Sequence, residues 1–206
     1  VTRTTMQFQE STMTVKPKIA LIIGSTRQTR FADKPAAWML KQAQARDDME
    51  VELVDLRDFD LPLFDEAASN LWMPSSDDRA VKWQDEIGEF DGYIFVVAEY
   101  NRSITGALKN ALDQAYKEWN RKPMAAIGYG ALGAARAVEH LRTIAVELQM
   151  VPTRNAVHIG GSDFFAVHPL GANAEIDTIA DHLSASVDAT LGDVVWWANA
   201  TKAARG

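Results

Sequence analysis

The sequence predicts an α/β fold, a three-layer arrangement in which helices cover both faces of a parallel sheet. Three observations carry that expectation. Short apolar runs rich in branched side chains recur along the chain, each stops at a glycine or a polar turn, and each is followed by apolar residues at helical spacing. Unbroken apolar runs are what strands need when both faces are covered, because a strand with one wet face alternates apolar and polar residues. With 206 residues, 47% of them hydrophobic, the chain can bury a sizeable core and fits one domain better than two.

Residues 1–16 are mixed and polar without a sustained period and read as a loose extension, leaving 17–206 as a single domain. Ile19-Ala20-Leu21-Ile22-Ile23 is the first strand and ends at Gly24. Ala32, Ala36, Met39, Leu40 and Ala43 mark the first helix, with Pro35 tolerable only in its opening turn. Val51, Leu53, Val54 and Leu56 give a second strand. Residues 57–76, carrying Pro62 and Pro74, are irregular, and a loop that long in a compact domain is often functional. A helix follows over 77–89, then a third strand at Tyr93-Ile94-Phe95-Val96-Val97. Leu108, Leu112, Ala115, Tyr116 and Trp119 mark a helix face, Met124 to Ile127 a fourth strand, and Ala134, Val138, Leu141, Ala145 and Leu148 another helix. Ala156 to Ile159 is the fifth strand. Ile176, Ile179, Leu183, Val187 and Leu191 line a last helix that runs into Trp196-Trp197, a pair costly to leave in water and expected in a dimer interface or against the sheet.

Composition excludes several functions. A net charge of -7, from 21 basic and 28 acidic residues, would repel phosphate backbones and anionic lipid, so neither nucleic acid nor membrane is an expected partner. No apolar stretch approaches the roughly 20 residues of a membrane helix, and residues 1–15 lack the apolar centre of a secretory signal, so the expected location is cytoplasmic. Cysteine is absent, which removes disulfides, thiol nucleophiles and iron–sulfur ligation; redox chemistry would need a bound organic cofactor. His140, His158, His168 and His182 are scattered, with no pair at metal-ligand spacing, so no metal site is expected.

Ligands of open parallel sheets sit beyond the carboxyl ends of the strands, and three loops lie there. Gly24-Ser25-Thr26-Arg27-Gln28-Thr29-Arg30-Phe31 offers a tight turn, hydroxyls and two guanidinium forks suited to phosphate oxygens, but it lacks the Gly-Lys-Ser/Thr ending of a nucleoside-triphosphate loop. Gly128-Tyr129-Gly130-Ala131-Leu132-Gly133 matches the dinucleotide fingerprint only in form. No acid follows in 149–155, and too few elements remain for a second half-fold, so it reads as a tight turn where Gly130 permits close approach. The third loop follows the third strand, where Ala98-Glu99-Tyr100-Asn101 offers an aromatic face and hydrogen-bonding groups to something flat and polar, with Thr105 as the cap of the next helix.

Together, Gly24-Ser25-Thr26-Arg27, Glu99-Tyr100-Asn101 with Gly106-Ala107-Leu108-Lys109-Asn110-Ala111-Leu112-Asp113, and Trp119-Asn120-Arg121-Lys122-Pro123 before Tyr129-Gly130 resemble the NADPH-dependent FMN reductase family of flavodoxin-like proteins. The resemblance spans 18–159 and implies a five-stranded sheet of order 2-1-3-4-5 and non-covalently bound FMN. It also implies NADPH or NADH as co-substrate, a homodimer with a tetramer as the alternative, and two-electron transfer to quinone, flavin, azo or metal-oxyanion acceptors. By motif, Ser25, Arg27 and Arg30 would bind the FMN phosphate, with Phe31 opening the helix that faces it. Ala98, Glu99, Tyr100 and Asn101 would lie along the isoalloxazine, chiefly through backbone groups, and Tyr129 with Gly130 would close its other side. No side chain is expected to act as a catalytic acid or base, because the chemistry belongs to the cofactor and hydride exchange would be ping-pong. Two departures stand out: the family usually has proline at Ala98, and many members have serine at Arg30. The alternative is a flavodoxin-type FMN electron carrier, but such carriers use a hydroxyl-rich phosphate loop where this chain holds Arg27 and Arg30.

Overall fold

The computed structural model describes residues 15–205, so most of the extension read over 1–16 lies outside the described residues. Six strands form one parallel sheet: β1 (Lys18–Ile23), β2 (Glu50–Asp55), β3 (Gly92–Ala98), β4 (Pro123–Tyr129), β5 (Val151–Pro152) and β6 (Val157–Ile159). Their order is β2-β1-β3-β4-β5, with β6 also paired to β4, which is the expected flavodoxin-like order. The fifth position holds two short strands where the sequence suggested one. Between them Thr153 donates its hydroxyl to the Asn155 carbonyl at 3.0 Å, and the Asn155 amide is drawn to Asp193 at 2.8 Å, so four residues, 153–156, separate the two strands.

The helices are α1 (Asp33–Gln44), α2 (Asp78–Gly88), α3 (Gly106–Asp113), α4 (Ala135–Glu147), α5 (Gly161–Val167) and α6 (Ala180–Arg205). Alternate strand residues feed two cores. Ile19, Leu21, Ile94, Val96 and Ile127 face α1 and α6, whereas Ala20, Ile22, Tyr93, Phe95 and Val97 face α2, α3 and α4. Every residue of β3 and β4 is buried, as unbroken apolar runs require. No described helix is long and apolar enough to cross a membrane.

Three details depart from the sequence reading. The helix face read over 108–119 is interrupted, because α3 stops at Asp113 and Trp119 sits in a one-turn 3-10 helix, Lys117–Trp119. Its burial comes from packing on Tyr93 at 4.7 Å and from an indole N–H donated to the Leu112 carbonyl at 3.3 Å. Trp196 and Trp197 are not against the sheet: they pack edge to face on one another at 4.8 Å, and Trp196 stays 63% exposed. Helix α5 was not foreseen, being too short to show a period.

The glycines of the false dinucleotide fingerprint have a packing role. A Cβ on Gly128 would lie 2.5 Å from the Gly133 carbonyl oxygen, and Gly133 itself has φ +61° with a would-be Cβ 2.9 Å from His158. Gly128 therefore lets α4 close onto β4, and Gly133 lets the turn before α4 close onto β6.

Candidate functional site

The carboxyl ends of β1, β3 and β4 open into one cavity of about 390 Å³, lined by Ser25, Arg27, Thr29, Arg30, Phe31, Ala98, Glu99, Tyr100, Tyr129 and Gly130, with Phe164, His168, Pro169 and Leu170 closing the far side. Nine of the ten residues singled out from the sequence are in that wall. Asn101 is not. It stands at the exposed tip of the turn that follows Tyr100.

The first loop is fixed from within. Gly24 donates its N–H to Val96 at 3.1 Å, and a Cβ there would sit 2.9 Å from both that carbonyl and Leu108, so only glycine lets the chain leave β1 so close to β3. Arg30 is buried and spent inside the protein. Its Nε donates to Asp33 at 2.7 Å, Nη1 to the Ser25 carbonyl at 2.6 Å and to Asp55 at 2.7 Å, and Nη2 to the second Asp55 oxygen. The Asp55 hydrogen bonds raise the Arg30 pKa further, against the pull of burial. Burial would raise the Asp55 carboxyl, yet Arg30 and the Arg57 backbone N–H together hold it below the usual range. Arg27 is the loop's outward cation, and its Nη1 donates to the Tyr100 hydroxyl at 3.2 Å. Arg57 steadies the loop's outer side by donating to the carbonyls of Thr26, at 3.4 Å, and of Arg27. Phe31 precedes α1 by two residues and meets Tyr129 edge to face at 5.2 Å.

The turn after β3 is a two-residue hairpin. Tyr100 and Ser103 exchange backbone hydrogen bonds at 2.8 and 3.0 Å, with Asn101 at φ 50° and Arg102 at φ 72°, the left-handed pair of a type I′ turn. Asparagine tolerates that region; arginine does so at a cost. Helix α4 clamps the hairpin at both ends: Arg136 Nε donates to Glu99 Oε1 at 2.6 Å, and Ser103 Oγ meets His140 Nδ1 at 2.6 Å. Burial would raise the Glu99 carboxyl, but the Arg136 guanidinium more than offsets it. Thr105 caps α3 through Leu108 N–H at 3.1 Å and donates to the Gly24 carbonyl, which joins the first and third loops.

On the remaining side, burial pushes the Tyr129 hydroxyl upward, so it stays protonated. Gly130 has φ +146°, and a Cβ there would meet no atom within 4 Å, so the backbone borders open space. The wall of Phe164 to Leu170 was missed by sequence reasoning. Its one signal was an aromatic pair, Phe164-Phe165, just past a strand end. Lys34 of α1 pins it by donating to the carbonyls of Val167, at 3.2 Å, and Ala174, at 2.7 Å. No group of three or more side chains able to hold a metal ion occurs among the described residues.

An outward cation, a serine hydroxyl, a backbone edge and a glycine-bordered space on one cavity suit a flat ligand with an anionic tail, and the sequence decides which family built it. Residues 17–163 match the profile of the NADPH-dependent FMN reductases. The chain belongs to the NADPH-dependent FMN reductase family. Its relatives include an NAD(P)H-dependent FMN reductase of a Nectria species, 35% identical over 159 residues that span 72% of this chain and 79% of that protein. A 2-hydroxy-1,4-benzoquinone reductase of a Burkholderia species is 37% identical over 65% of this chain and 73% of that one. Among solved structures, the flavoenzyme NAD(P)H:(acceptor) oxidoreductase of Paracoccus denitrificans superposes with a TM-score of 0.66 at 26% identity, covering 86% of this chain and 97% of that one. For an oxidoreductase of this family the cavity fits FMN in kind: Gly130 leaves the room a side chain would fill, and Arg27 is an exposed cation on the same wall.

Proposed function

We propose that this chain is an FMN-dependent NAD(P)H oxidoreductase that passes two electrons by ping-pong exchange to a quinone, with free flavin, azo dyes and metal oxyanions as further acceptors. The observation that carries the reading is the convergence of Ser25, Arg27, the Ala98–Tyr100 edge and Gly130 on one cavity in a chain of this family. The quinone preference rests on the likeness to the benzoquinone reductase. Bound FMN would supply the hydride chemistry, taking two electrons from the nicotinamide and passing them to the acceptor.

The chain's own residues bind and orient. Ser25 and Arg27 would hold the phosphate. Arg30, foreseen as a phosphate ligand, has its N–H groups committed to Asp33, Asp55 and Ser25, so its proposed role is to set the loop's shape. The backbone of Ala98, Glu99 and Tyr100 would border one side of the isoalloxazine, with Asn101 acting through the turn it forms, and Tyr129 with Gly130 would close the other. No side chain is assigned acid or base work. A homodimer in the cytoplasm completes the proposal, supported by the apolar surface of Leu63 (83% exposed) and Trp72 (78% exposed) in the long segment between β2 and α2. The test is to load the protein with FMN and add NADPH without air. Loss of the yellow colour, followed by its return on adding benzoquinone, is expected, with parallel lines in initial-rate plots. A yellow protein that NADPH does not bleach would sink the reductase reading, and intersecting lines would sink the ping-pong one.

A further inference from the structure

His168 lies in the cavity wall with no role assigned to it. It is held from three directions. Its ring packs on Phe164 at 4.5 Å and on Phe31 at 5.0 Å, its backbone N–H donates to Phe164 at 2.9 Å, and its carbonyl accepts from Gly171 at 2.8 Å. A Cβ on Gly171 would collide with the Phe165 carbonyl oxygen, so the turn that places His168 needs that glycine. The imidazole Nδ1 accepts the Leu170 N–H at 3.1 Å, which puts the proton of the neutral ring on Nε2. That Nε2 has no hydrogen-bond partner among the described residues, although the other charged groups of the cavity do: Arg30 has Asp55, Glu99 has Arg136, and Arg27 has the Tyr100 hydroxyl.

We infer that His168 is a second anion-binding group of this site, donating from Nε2 to the phosphate that Arg27 holds, so that the cradle is built from the first loop and from the α5 wall together. The inference rests on the FMN reading above. The electrostatics agree. Burial lowers the imidazole pKa, and the positive charge of Arg27 lowers it further, so the two groups already sense one another. An anion placed between them meets the Arg27 charge on one side and the Nε2–H on the other. The other charges nearby are committed elsewhere: Arg30 to Asp55 and Asp33, and Lys34 to the carbonyls of Val167 and Ala174, while Tyr129 is kept neutral by burial. The Leu170 N–H occupies Nδ1, so the ring meets the phosphate as the neutral tautomer, through its Nε2–H.

The test titrates the FMN-free protein with FMN and with riboflavin, which differ only in the phosphate, and follows flavin fluorescence. His168→Phe keeps the packed ring and removes the donor; it is expected to weaken FMN about tenfold, with riboflavin unchanged. His168→Gln keeps an N–H donor and should recover part of the FMN affinity. Unchanged FMN affinity in His168→Phe overturns the inference, and so does an equal loss for both flavins, which would mean a wall residue only. Arg27→Ala serves as the reference. If it too leaves the FMN-to-riboflavin ratio untouched, the phosphate cradle itself is misplaced and the FMN reading of this cavity falls with His168.

Discussion

Replacing Arg30 with Met separates a residue that shapes the site from one that touches its ligand. The methionine fills much of the volume and removes the guanidinium. Arg30's side chain is 3% exposed, and the bidentate partner it leaves, Asp55, is 23% exposed. Breaking a buried pair by removing one ion costs about 3–5 kcal/mol, because the survivor keeps its desolvation without its partner. Asp55 retains the Arg57 N–H at 3.0 Å and some water, so about 2–4 kcal/mol is expected. At about 2–4 °C per kcal/mol for a chain of this size, the melting temperature of the FMN-free protein should fall by about 4–16 °C. The sign of the pH dependence follows from Asp55. Its folded pKa lies below the unfolded value, so the pair's contribution is present above the unfolded value of about 3.9 and is lost as pH falls through the folded one. The gap between wild type and Arg30→Met, read from urea unfolding at pH 7 and again near pH 3, should therefore narrow at the acid end. A variant as stable as wild type at pH 7 that still loses FMN would refute the reasoning and return Arg30 to the phosphate.

Two further changes probe other parts of the architecture. Arg27→Ala should weaken FMN about ten- to a hundredfold, the worth of a charge-assisted contact, with the urea midpoint of the FMN-free protein unmoved; equilibrium dialysis showing wild-type affinity would mean the phosphate was wrongly placed. Gly128→Ala pushes a methyl to 2.5 Å from the Gly133 oxygen and to 3.0 Å from Ala134, and should cost about 1–3 kcal/mol by thermal melting; a neutral result would show that α4 can back away from β4.

The parts legible in the sequence were those governed by one short-range rule. Strands β1, β3 and β4 announced themselves as unbroken apolar runs because both faces are covered, and the loops beyond them were legible because a parallel sheet gathers its ligand groups at one edge. Thr105 was legible as a cap, although nothing local shows that its hydroxyl also reaches Gly24, 81 residues away. What stayed hidden depends on pairings across the fold. Nothing within the glycine-serine loop shows that its arginine, Arg30, pairs with Asp55 on the next strand. The break in the fifth strand needs Asp193 from α6 to draw Asn155 out, and the α5 wall needs Lys34 from α1 to hold it.

The same logic explains why the Glu99–Asn101 segment could be located but not described. Its composition marks a polar turn at a strand end, yet the turn's conformation is imposed from α4, where Arg136 and His140 lie one helical turn apart and grip Glu99 and Ser103 on either side of a left-handed pair. Arg102 pays steric strain in that pair, and such strain persists only when the surroundings over-determine the backbone. The two clamps and the Thr105 tie do so here. A backbone edge held this firmly before any ligand arrives loses little entropy on binding, which suits a site whose contacts to its cofactor would come from main-chain atoms.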